Sequence, residues 1–258
     1  MELKLCTWRE VEVYLDLSSG IMIPLGSIEQ HGPNGLLGTD AICSQAVARH
    51  AAERTGVMVG PAIELTVAQF NLAFAGTIHV RASVLAAVIH DYVKSLAVHG
   101  FRRFYFVNGH GANISVANAA FHDIYAARSF AEADTTTPEL RCRLRSWWEF
   151  DAVCQLRDLW FGTWEGVHAT PSEIAITQSV YPEQTRSLSD FEPRALSPED
   201  KAAIGGDRHY DAHHQRTRFA DGTLGSDPRL ASPERGASLL EAAASGVLED
   251  YQRFVEEA

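Results

Sequence analysis

Two short apolar runs constrain this chain more than any other feature. Ile21–Leu25 (IMIPL) and Phe104–Val107 (FYFV) are apolar at nearly every consecutive position. That pattern suits strands buried on both faces, as in a parallel sheet. Each run passes directly into a polar loop with glycines, GSIEQHG after the first and NGHGAN after the second. Val57–Val59 reads as a further buried strand, and ELRCRLRSWW (139–148) as another. Helical patterns alternate with them. Thr39 to Arg54 places Ile42, Ala46 and Val47 on one face, with Gly56 as a stop. Ser83 is positioned to cap a helix with an apolar stripe from Val84 to Leu96, ended by Gly100. Further helices are expected over Asn113–Arg128, from Pro171 at a first helical position, and over Ser238–Glu257. Alternating strands and helices predict an α/β fold, a three-layer α/β/α sandwich with a mainly parallel central sheet. The expectation is one domain over residues 1–258, with Gln184–Asp227 as a long surface excursion.

In a parallel sheet both polar loops leave from the carboxyl edge, where such folds build their sites. Glu29 and His31 are two apart, a spacing that puts both side chains on one side of an extended segment. Gly32, Pro33 and Gly35 allow the chain to turn, and Asp40 can then face the same edge as His110. Carboxylates and imidazoles without a thiolate suit zinc, manganese or another first-row divalent ion. Each residue taken singly has a plainer explanation. Asp40 also suits a helix start, where the macrodipole favours an acid. Glu29 and His110 also suit solvated turns, and Thr170 with Glu173 completes a capping-box pattern.

Three blocks, PLGSIEQHGPNGLLGTD, VNGHGAN and HATPSE, together resemble the signature blocks of the creatininase family. FAGTIH and DGTLGSDP add to the match. The resemblance implies a dinuclear metal hydrolase of non-peptide C–N bonds, commonly assembled as a homohexamer. It implies that two divalent ions, zinc and/or manganese, produce hydroxide at neutral pH to attack a small amide. By position, Glu29 and His110 would hold one ion, His31 the other, and Asp40 would bridge them. The creatinine-hydrolysing branch carries N-G-H-Y-E-N, whose Glu ligates metal; this chain has Gly111 and Ala112 in the Tyr and Glu places. Glu173 is the substitute ligand that the resemblance offers. WEGVH (Trp164–His168) is similar to the W-D-x-x-H of the creatinine-binding loop, with Glu165 for Asp. Trp164, Glu165 and Gly111 are thereby expected to meet substrate, though Trp164 also suits a core position. His168 is the candidate proton shuttle, or else orients Glu173.

The formal charge is −11 and no Lys/Arg run occurs, so neither nucleic acid nor an anionic membrane is an expected partner. Four scattered cysteines without a C-x-x-C pair, and a charged first segment without an apolar signal core, predict a cytoplasmic protein. Two other functions share these loops: a deformylase or peptide-trimming hydrolase, and a non-catalytic metal-binding homologue. Metal analysis and a panel of ring amides, formamides and peptides separate the three.

Overall fold

The computed structural model describes residues 1–130, 139–204 and 211–257. In chain order the elements are α1 (Trp8–Leu15), β1 (Gly20–Leu25), α2 (Thr39–Glu53), β2 (Met58–Val59), α3 (Ala82–His99), β3 (Arg103–Asn108) and α4 (Asn113–Ser129). There follow β4 (Arg141–Ser146), α5 (Asp151–Trp160), α6 (Pro171–Val180), α7 (Pro198–Ile204), α8 (Ala212–Arg218) and α9 (Pro233–Glu256). The strands form one sheet in the order β2-β1-β3-β4, every pairing parallel.

Alternation along the two central strands builds both cores. Ile21, Ile23 and Leu25 of β1, with Phe104 and Phe106 of β3, pack on Leu85, Ile89 and Val93 of α3 and Ala117 and Phe121 of α4. Met22, Tyr105 and Val107 point to the opposite face, against α2, α6 and α9 through Val47, Ile176, Leu239 and Val247. The result is the expected α/β/α sandwich. Among the described residues no helix is long and apolar enough to cross a membrane.

Register places the site. Leu25, Asn108 and Ser146 lie side by side at the ends of β1, β3 and β4. The loops after all three strands therefore leave one edge at one level.

Several boundaries differ from expectation. Ser83 does not cap α3; the cap is Arg81, whose carbonyl accepts from the N–H groups of Val84 and Leu85. The helix thus starts one turn position before the serine. The last helix begins at Pro233 rather than Ser238, because Ser232 caps it and Pro233 occupies the first position. β4 stops at Ser146, and Trp147–Glu149 turn into a 3-10 helix instead of continuing the strand. β2 is only Met58–Val59. The charged first segment contains α1, closed by a Thr7–Glu10 capping box. The excursion from Gln184 to Asp227 carries α7 and α8; its residues 205–210 lie outside the described residues.

Candidate metal centre

Close backbone approach brings the carboxyl-edge loops together. A Cβ at Gly109 would lie 2.2 Å from the Asp40 carbonyl oxygen, and one at Gly26 would lie 2.4 Å from the Ala41 Cα. Only glycine lets the β3 loop and the β1 loop press against the start of α2. Gly109 therefore serves packing, and it also lines the cavity beside the cluster. A Cβ at Gly111 would meet nothing within 4 Å. The Glu29 N–H donates to Leu37 O at 2.8 Å and the Gly35 N–H to His31 O at 3.0 Å, which turns the loop back towards α2.

Glu29, His31, Asp40 and His110 are buried together, and Glu173 enters from the first turn of α6. Asp40 is central. Its Oδ1 lies 2.9 Å from His31 Nε2 and its Oδ2 lies 2.9 Å from His110 Nδ1. Glu29 Oε1 is 3.4 Å from His110 Nδ1, and Glu173 Oε2 is 3.9 Å from His31 Nε2. The ligand atoms fall into groups that can each hold an ion: Glu29, Asp40 and His110; His31, Asp40 and Glu173; and Glu29, His31 and His168. Both capping and metal-facing geometries are realised at Glu173. The Thr170 N–H donates to its Oε1 at 2.5 Å, while Oε2 faces His31.

Two observations test whether this donor set fits cations. First, both Glu29 oxygens are buried without a hydrogen-bond partner, which is costly unless a cation meets them. Second, each histidine has its outer nitrogen on a backbone carbonyl. His31 Nδ1 lies 3.0 Å from Glu29 O, and His110 Nε2 lies 2.8 Å from Val67 O. As N–H donors there, both rings turn their inner nitrogen towards carboxylate oxygen, the orientation typical of metal-ligating histidine. The set fits divalent cations, with Asp40 belonging to two of the three candidate groups.

Without a cation, protons must serve instead. Burial works against charge on the two histidines, but the surrounding carboxylates outweigh it and raise His31 to about 10 and His110 to about 9. Burial also works against the Asp40 carboxylate, and the two imidazoles hold it well below the usual range. Burial raises Glu29, with Asp40 adding to the effect, and raises Glu173 to about 7.

His168 stands apart. Its ring centroid is 4.6 Å from that of His31, and its Nδ1 is 3.6 Å from Glu29 Oε1. Burial and the charge of His31 lower it to about 3. Its tautomer follows from Gln30. The Gln30 amide N–H groups are spent on Asn71 Oδ1 at 2.9 Å and Gly222 O at 3.0 Å, and its Oε1 accepts from the Gly32 N–H at 2.8 Å. His168 Nε2 must then be the donor to Gln30 O at 2.7 Å, leaving Nδ1 as the free base. Residues of DGTLGSDP hold this loop. The Val167 N–H donates to Leu224 O, Leu224 N–H to His168 O, and Ser226 Oγ to His168 O. Ala169 is held at φ 53°, a strained value for a non-glycine residue, between the histidine and the cap of α6.

A cavity of about 320 Å³ opens beside the cluster, at the small end for a ligand site. Asp40, His110, His168 and Glu173 line it, and so does Gly111. Trp164 and Glu165 do not. Both line a neighbouring cavity, and Glu165 Oε1 accepts from Arg157 Nε at 2.8 Å and from Ser172 Oγ. The aromatic wall of the metal-side cavity is Trp147 and Trp148, and Arg157 stands with them. Sequence reasoning missed these residues by running β4 through both tryptophans. An aromatic pair at the carboxyl end of a strand was the signal to read.

Comparisons with known proteins give the family and the fold. The family model described as creatininase, creatinine amidohydrolase, matches residues 4–250. The creatinine amidohydrolase of Pseudomonas putida is 27% identical over 253 residues, 93% of this chain and 92% of that protein. The mycofactocin precursor peptide peptidase of Mycobacterium ulcerans is 36% identical over 115 residues, 41% of this chain and 46% of that protein. A solved structure named creatininase Mn superposes with a TM-score of 0.79 at 23% identity, covering 99% of each chain. A mutant creatininase complexed with creatine gives 0.80 at 23%, again with 99% of each chain.

Proposed function

As the chain belongs to the creatininase family, we propose that it is a two-metal amidohydrolase that cleaves a non-peptide C–N bond in a small molecule. The carrying observation is Asp40, whose two oxygens each sit 2.9 Å from a different inward-facing imidazole nitrogen. Glu29, Asp40 and His110 would hold one divalent ion, and His31, Asp40 and Glu173 the other. Nitrogen and oxygen donors of this kind suit zinc or manganese. Bound there, such ions lower the pKa of water towards about 7 and polarise an amide carbonyl.

The protein's own groups do the rest. The small cavity admits a compact substrate, with Trp147 and Trp148 as its wall and Gly111 as its open side. With Nε2 held by Gln30 O, His168 presents Nδ1 as the free base, and it would accept a proton there as water attacks and pass it to the departing nitrogen. Gln30 keeps the imidazole in that tautomer. Homohexameric assembly belongs to the same reading. Trp8 and Val13 of α1, flanked by Leu5 and Leu17, are exposed apolar side chains that a neighbouring copy would cover. Light scattering that finds a monomer at working concentration counts against it.

The peptidase relatives support a second reading, peptide trimming at the same metals. The cavity volume favours the small molecule. Metal-reconstituted protein assayed against ring amides, formamides and short peptides decides. Ring-amide hydrolysis is expected, with weak or absent turnover of creatinine, since Gly111 and Ala112 offer none of the contacts of a Tyr and Glu. Hydrolysis of peptides alone overturns the proposal.

A further inference from the structure

Arg157 takes no part in the metal cluster, yet it lines the same cavity and is the one Lys or Arg among the residues that do. It reaches there from the last turns of α5. Its Nε donates to Glu165 Oε1 at 2.8 Å, and its Nη1 makes a long bond to Trp148 O at 3.4 Å. Nη2 has no acceptor among the described residues. Glu165 is pinned in turn, since the same Oε1 accepts from Ser172 Oγ. The ion pair is therefore gripped at one point, through Nε. A guanidinium carries five N–H donors in a planar fork, so most of this one is unspent. The side chain keeps 22% of its surface exposed.

The acid of the WEGVH loop gives its Oε1 to Arg157 and Ser172, keeps its Oε2 buried without a partner, and lines the neighbouring cavity and not this one. The charge offered beyond the metal cluster is positive. A basic ring would face a cation there, whereas a carboxylate would find unspent donors in the fork geometry that matches it. Resting on the function proposed above, we propose that Arg157 is the specificity residue of this site and receives a carboxylate on the substrate. The amide cleaved is then one that carries an acidic group near its scissile bond. Glu165 acts through Arg157 as a positioning residue.

Calorimetry on metal-loaded protein tests this with two probe pairs that each differ by one carboxylate: dihydroorotate with dihydrouracil, and pyroglutamate with 2-pyrrolidinone. The wild type should bind the acidic member of at least one pair about tenfold or more tightly, the worth of one charge-assisted hydrogen bond. E165Q keeps the guanidinium and removes its counter-charge, so the preference should hold or widen. R157Q would leave the buried Glu165 without its counter-charge, with only the Ser172 hydroxyl on it, so the double variant R157Q/E165Q is the informative one, and it should lose the preference with metal content unchanged. No preference in the wild type overturns the proposal. So does a preference that survives in R157Q/E165Q, because the carboxylate would then be going to the metals. If the preference behaves as expected but no amide is hydrolysed, the amidohydrolase reading fails while the assignment of Arg157 stands.

Discussion

Glu173→Gln separates the two geometries that Glu173 combines. The amide oxygen of the variant can still accept from the Thr170 N–H, as a glutamine does in a capping box, so the start of α6 survives. What is removed is the negative charge at Oε2, 3.9 Å from His31 Nε2. At that separation two unit charges interact by about 4 kcal/mol at an effective dielectric near 20. A divalent ion bound by the same oxygen would feel more than that, and a neutral amide returns only part of it. The expected loss is at least about 100-fold in affinity for one of the two ions, or about 2.7 kcal/mol. The sign with pH follows from burial, which raises the Glu173 carboxyl to about 7. In the wild type, affinity for that ion should rise with pH up to about 7 as this carboxyl ionises; in E173Q that contribution is absent. The metal-free fold responds in the opposite direction. The folded carboxyl keeps its proton up to about 7 and the unfolded one only up to about 4.5, so its ionisation lowers stability as pH rises through that window. Metal-free E173Q should therefore melt no lower than wild type at pH 8. The assays are elemental analysis after dialysis against a graded chelator, and thermal melts by circular dichroism. Two ions retained at wild-type affinity would refute the assignment and leave Glu173 as a cap alone.

Other consequences are equally direct. Asp40→Ala should lose most of both ions, and full occupancy by elemental analysis would show that Asp40 does not bridge. His31 and His110, at about 10 and about 9 without metal, hold protons at pH 7 that ions must displace. Calorimetric metal titrations in two buffers of different ionisation enthalpy should show release of at least about two protons per chain, since Glu173 and Glu29 add to the two histidines, and no release would contradict the inward-facing imidazoles. Gly109→Ala forces a Cβ towards the Asp40 carbonyl and should destabilise the fold by about 1–3 kcal/mol. Gly111→Ala, with open space around it, should cost less than about 0.5 kcal/mol in the same denaturant titration.

Apolar runs flanked by helical periodicity made the sandwich legible from residues alone, because burial on both faces leaves no polar position in a central strand. The candidate ligand cluster was legible for a related reason. Chemistry of this kind needs particular side chains at particular loop positions, and Glu29, His31, Asp40, His110 and Glu173 stand in short, dense motifs. Local signals at single positions were weaker. Ser83 looked like a cap and lies inside α3, since the neighbouring Arg81 backbone already takes that place. Glu173 looked like either a cap or a ligand, and only the folded chain shows one oxygen in each position. What the linear pattern could not carry is which surfaces meet across the fold. WEGVH pointed to Trp164 and Glu165 as the substrate wall, yet the chain turns them to a neighbouring cavity and brings Trp147, Trp148 and Arg157 to the cavity beside the candidate metal cluster. That choice depends on where β4 ends, on how α5 packs, and on the clamp of Leu224 and Ser226 on the His168 loop. Ligands declare themselves by their chemistry within a short motif. The wall opposite them is set by long-range packing between segments far apart in the chain, and only the tertiary structure decides it.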